Sequence, residues 1–372
     1  MEITITSFIL LLLFVCTKNA NSIMGMVNFN GKGLLKMLSL KYVLIFGFLF
    51  CSSISFSQAT FRSNVTTGNW TASGSWTINS GSDADGVPDA DDSVQIRAGH
   101  TITVNTTSGA CASLVVGNNN GTANLTFSGT TSQLTVSGTV DIGDALVNNN
   151  RRGVITFISG STLICNALNL SRGDATNRLI MSANSLLRTG ALGIVGSGGT
   201  TPTWTPSTGT VELTASNTLP TTVFTSFNNL TISNGTTTAG VGFSVGGVLS
   251  IASGTTLNMS TFAMTGASLT TSGTGTLRTQ NTSSTPLPTG RTWSPTVQYD
   301  GTGAQTLVVG TYNDIILAGA RTGTPTITLG NGTIGVSGAF NVTYTGTVSF
   351  TNTGSTVNFS SASSQTIPSS VN

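Results

Sequence analysis

The chain has 372 residues, 38% of them hydrophobic and only 7% charged, with 45 glycines and 9 prolines. Lysine stops at Lys41, and beyond residue 57 ten arginines stand against eleven acids. A nearly neutral chain rich in hydroxyls and amides has no basic stripe for nucleic acid and little field to steer a charged partner.

Two apolar runs open the chain. The first, Phe8 to Cys16, is too short to span a bilayer comfortably. The second begins at Lys41, runs through an apolar centre and ends small-x-small at Ser55 and Ser57. That pattern reads as a secretory signal peptide over 37–57, with cleavage expected between Ser57 and Gln58. Met37 stands where such a peptide would start, so 1–36 reads as an over-extended start or an extra leader. Neither Cys16 nor Cys51 follows a small residue, which argues against a lipid anchor. The exported chain is expected to lack a membrane span and to occupy the extracellular cell surface.

After residue 57 one phrase recurs: two apolar residues flank one small or polar residue, and a turn of Gly, Asn, Ser or Thr follows. Leu125/Phe127, Leu134/Val136, Leu168/Leu170, Leu230/Ile232, Ile315/Leu317 and Val357/Phe359 all fit. Each pair puts two side chains on one face of a short strand, so the fold class is all-β. Leu114 to Leu134, Leu249 to Leu269 and Leu307 to Ile327 repeat one and the same interval, and Ile327 to Val348 exceeds it by a single position. A constant interval of roughly 20 residues predicts stacked coils, a β-solenoid of roughly 15 turns whose length is on the order of 70 Å. No coil can bury its apolar pairs alone, whereas stacking joins them into one core.

Three regions are expected: a capping or opening module at 58–110, coils at 111–207, and longer repeats at 208–372. Trp204-Thr-Pro206 and Trp293-Ser-Pro295 each open a longer unit, and Gln305-Thr-Leu307 is echoed by Gln365-Thr-Ile367. The last unit breaks off at Asn372, so the chain is expected to be part of a longer protein or to end in a partner contact. Cys111 and Cys165 sit in similar phrases, each with a leucine three positions on. Equivalent positions two or three coils apart, at about 4.8 Å per coil, are too distant for a disulfide, which predicts two buried free thiols.

Gly68-Asn-Trp70 to Trp76, then Gly86-Val-Pro88 to Val104 and Cys111 to Gly117, resembles the opening module of large secreted repeat proteins of Bacteroidota-type bacteria. It is also similar to the eight-glycine extracellular domain found ahead of β-helices. Tyr312-Asn-Asp-Ile315-Ile-Leu317 resembles the repeat units of such adhesin-like proteins, and the likeness covers most of 63–372. The resemblance implies a right-handed parallel β-helix at the cell surface, exported by the Sec route.

Five aspartates, Asp83, Asp85, Asp89, Asp91 and Asp92, crowd into one stretch. Alternating carboxylates with a glycine suit a hard, oxygen-seeking cation, which makes calcium the candidate metal; the glycine and glutamate positions of an EF-hand are absent. His100 is the only histidine, in a turn before a strand, and excludes sites that need several histidines within one chain. Asp141 and Asp144, followed by Arg151 and Arg152, are the remaining candidates for acid and base work on a polysaccharide. Their opposite strand parity opposes that role. Trp70 and Trp76 read as plugs for the open end of the core, and Trp204 and Trp293 as wedges between units.

The expected function is non-catalytic: a secreted structural or adhesive β-solenoid presenting a neutral Thr/Ser/Asn-rich surface to extracellular glycans or cells, or associating with itself end to end. One alternative is a β-helix polysaccharide lyase or hydrolase. The other is binding to ice or a crystal surface through threonine rows such as Thr101-Ile-Thr103 and Thr326-Ile-Thr328, although these threonines are not expected to recur in one register.

Overall fold

The computed structural model describes residues 58–143, 150–196, 199–352, 354–361 and 364–365. Residues 1–57, with the expected signal peptide, Asp144 and the closing Ile367-Pro368 lie outside them. Within 58–372 the described chain is nearly all short parallel strands, with no α-helix, stacked into a β-solenoid of about 11 turns. No helix among the described residues is long and apolar enough to cross a membrane.

Each turn visits three faces. Face one carries Thr67–Asn69, Thr101–Val104, Gly121–Phe127, Arg151–Thr156, Arg178–Ile180 and Thr203–Thr205 as one six-stranded sheet. Shorter sheets, starting from Ser226–Phe227 and from Gln305–Leu307, continue the same step of the turn. Faces two and three begin as one sheet, because Gln133–Ile142, Thr162–Ser171 and Leu186–Val195 each run straight across the corner between them. From Thr210–Leu213 onward that corner breaks. Face two continues through Asn229–Ile232 and Val248–Ile251, and face three through Thr236–Thr238, Thr256–Asn258 and Thr276–Thr279.

Alternation decides which side chains go inside. The typical strand is half-buried, then buried, in strict sequence, as in Ser93–Ile96 and Asn229–Ile232. Stacking then places like on like: Leu114, Val140, Leu168 and Leu192 form one column, and Leu163, Leu187, Val211, Leu230 and Leu249 another, all buried. These columns exclude water along the stack, and each full apolar burial is worth about 1.5–3 kcal/mol.

The ladder partners differ from the equivalences expected from a constant interval. Leu114 pairs with Val140, and Leu134 lies on another face beside Gly109. Leu249 pairs with Thr271, Leu307 with Leu329 and Ile327 with Phe350. These last three slips are of two positions each, and such a slip keeps every side chain on its own face, so the apolar pattern does not register it. Turns are therefore longer on average than the expected interval, and the solenoid has fewer of them than the roughly 15 it implied. The strict interval survives only on face three, where Leu257, Leu277 and Val297 stack.

The first turn is closed off. Trp76–Ser80 pairs antiparallel with Thr60–Ser63, against the parallel rule of the rest. Trp70 and Trp76 are buried there edge to face, with ring centroids 5.3 Å apart, and the Trp76 indole N–H donates to the Trp70 carbonyl at 2.8 Å. An antiparallel strand laid over the first coil occupies the edge that another chain would otherwise extend. Trp204 is half-buried against Phe224 and Phe227, and its N–H donates to the Ser226 carbonyl one turn on at 2.7 Å. Trp293 is fully buried and stacks on Tyr312.

Candidate functional site

The acidic stretch folds into the loop between Trp76–Ser80 and Ser93–Ile96. Carboxylate oxygens of Asp83, Asp89 and Asp92 lie within 4.8 Å of one another, whereas Asp85 and Asp91 are outside that cluster. The loop uses these oxygens itself. Asp92, buried, accepts the Ala59 N–H at 2.8 Å and the Asp89 N–H at 2.9 Å. Asp83 accepts the N–H groups of Asp85 and Gly86, Asp85 that of Val87, and Asp89 that of Asp91. Calcium takes six to eight oxygens in about this geometry; three clustered carboxylates that already serve the backbone supply a part of such a shell and fit a self-capped loop at least as well. Burial pushes the Asp92 carboxyl above the ordinary range. A side-chain hydrogen bond with Asp91, then burial, does the same for Asp89.

His100 lies in the turn before Thr101–Val104, and its Nδ1 is 2.8 Å from the Ser63 hydroxyl. Burial, and then the Arg97 guanidinium, hold the imidazole below its usual pKa. The Ser63 hydroxyl also accepts the Arg97 N–H at 2.9 Å. The histidine thus ties two turns together through one serine.

Asp141 is on the outward side of face three, in register with Val115 before it and Asn169 after it, and Asn169 donates to its carboxylate at 2.9 Å. Arg152 pairs with Asp174 at 2.6 Å. Burial works to raise Asp174, but the Thr176 backbone and hydroxyl donors and Arg152 outweigh it, and the net shift is downward. Cys111, Val136 and Cys165 occupy one register position on three successive turns, so the sulfurs are two turns apart; both thiols are free and buried. Burial pushes Cys165 up to about 12 and Cys111 higher still, which leaves neither as a ready nucleophile.

A buried polar group at the corners had only a faint sequence signal, the Gln-Thr-apolar echo. Gln305 donates to the carbonyls of Thr279 and Asn281 and accepts the Gly301 N–H at 2.8 Å. Gln365 repeats this, donating to the Val336 and Gly338 carbonyls and accepting the Ser361 N–H at 3.1 Å. Asn217 plays a related part with the carbonyls of Gly190 and Ala215. Beside Gln305, Asp300 pairs with Arg278, Arg321 donates to the carbonyls of Gly303 and Tyr299, and the Tyr312 hydroxyl donates to the Val308 carbonyl. Apart from the Asp300–Arg278 ion pair, these groups satisfy backbone at bends, where strands leave polar atoms unpaired.

Some outward threonines do recur in register, contrary to expectation: Thr103, Thr126 and Thr156 follow one another, whereas Thr101 is followed by Asn124 and Thr326 by Ser349. On face one Asn69, Thr103, Thr126, Thr156, Ile180 and Thr205 form one row over six turns. Thr67, Thr101, Asn124, Val154, Arg178 and Thr203 form a second row two positions away along the strands. On face three Thr236, Thr256, Thr276 and Thr296 make a single row. The rows of face one escaped the sequence because the steps along them vary, short from Thr103 to Thr126 and long from Thr126 to Thr156.

Comparison with protein-family models, with curated proteins and with solved structures finds no match.

Proposed function

We propose that the chain is an exported, non-catalytic surface solenoid, of the kind its resemblance to Bacteroidota-type adhesin-like proteins implies, that holds out neutral hydroxyl and amide faces to extracellular glycans or cell surfaces. One observation carries the reading: outward polar side chains repeat from turn to turn and bond to one another. Ser113 donates to Ser93 at 3.1 Å, Asn124 to Thr101 and Asn229 to Thr210 at 3.3 Å, and the Thr326 and Ser349 hydroxyls are 3.0 Å apart. Identical weak contacts repeated along a stiff support add up through multivalency, with no deep pocket and no strong charge needed.

Glycan arrays and whole-cell adhesion with the protein displayed in several copies test this, and binding that collapses for the single copy is the expected result. An absence of binding in either format would remove the adhesive reading. Reducing-sugar release on bacterial and algal polysaccharides is expected to stay at background. Turnover that disappears in Asp141→Ala would put the hydrolase or lyase reading first.

A further inference from the structure

We propose that face one, over its first six turns, is a docking surface for ice. The two rows give a grid, because neighbouring strands lie about 4.8 Å apart and alternate residues along a strand about 6.7 Å apart. Between the rows, Ile102, Leu125, Ile155 and Leu179 point inward and are buried, so the outward side chains stand on a rigid floor. Threonine holds seven of the twelve positions, with the fifth turn contributing Arg178 and Ile180 instead; each threonine is stiff at its first side-chain torsion and sets a methyl beside a hydroxyl. A fixed grid of such groups holds a matching layer of water, and ice is the partner that presents an uncharged grid of donors and acceptors in two dimensions.

Charge agrees with that occupant. Arg178 is the only charged residue at the twelve grid positions, and no acid is among them. A charged polymer would find little to hold here, since Arg152, beyond the grid on the same strand as Thr156, is already paired with Asp174. A sugar chain would gain most from an exposed ring to stack on, and the rings on these strands turn inward, Phe127 buried against Phe157 and Trp204 half-buried against Phe224 and Phe227. The proposal stands apart from the adhesive reading, since it needs neither a glycan nor a cell.

Partitioning of the protein into slowly grown ice, together with the freezing hysteresis of its solution, tests the assignment. The protein is expected to enrich in the ice and to open a hysteresis gap. Thr126→Lys, in the middle of the grid, should abolish both, and Thr256→Lys on face three should change neither. Circular dichroism checks folding, and Thr103→Lys on the preceding turn replaces Thr126→Lys if that variant does not fold. Exclusion of the folded protein from ice overturns the proposal. So does partitioning that neither face-one lysine affects, or retention on insoluble polysaccharide through the same threonines without ice partitioning. Glycan-array binding is read separately, so either reading can fail without the other.

Discussion

Single side chains hold this molecule together mostly by serving the backbone. Asp92 is the clearest case, since both of its oxygens cap N–H groups, one of them from Ala59 at the start of the first coil. Asp92→Ala is expected to cost about 1–3 kcal/mol for the orphaned buried donor, seen as a lower urea midpoint, while millimolar calcium leaves the melting temperature of the parent unmoved. His100 carries a pH dependence whose sign follows from its lowered pKa. The unfolded imidazole takes up its proton near 6.5, the folded one only at lower pH. Stability is therefore expected to fall as pH drops through that window, and His100→Gln should flatten the fall in a urea series between about pH 8 and about pH 5. Asp89 and Asp92, both raised, act in the opposite sense at more acid pH, where the folded carboxyls hold protons that the unfolded chain has released.

At the scale of strands and corners, the stack tolerates no extra atom where one turn crosses the next. A Cβ at Gly153 would fall inside contact distance of the Val116 carbonyl and the Gly143 nitrogen, both backbone. Gly153→Ala is expected to destabilise far more than Gly99→Ala, where nothing lies within 4 Å of the added carbon and only the positive φ of 80° resists the change; thermal melts of the two variants make the comparison. Strand type, inward parity and the role of the apolar pairs were legible in the chain, because alternation of period two is written directly in residue order. Register was not. Leu307 pairs with Leu329 and not Ile327, a slip of two that leaves parity intact. The corner amides were equally hard to read, since Gln305 and Gln365 act through carbonyls a full turn back along the chain.

For the whole molecule, each turn rests on its neighbours, so stability is a sum of local interfaces and damage propagates from an end. Trp76→Ala empties part of the first turn and is expected to cost about 3–5 kcal/mol; hydrogen exchange should speed up first in Thr60–Ser63 and Ser93–Ile96 and fade toward the middle of the stack. The acidic loop shows the limit of reading chemistry from a line of residues: all five aspartates crowd together in sequence, yet only Asp83, Asp89 and Asp92 converge. The sequence by itself determined that this is a stacked all-β chain with a nearly neutral exterior, because composition and alternation act locally and need no partner. Only the tertiary structure decided which outward residues meet. Turns of unequal length bring Thr103, Thr126 and Thr156 into one row, and no fixed interval along the chain can announce a row that is set by hydrogen bonding between turns.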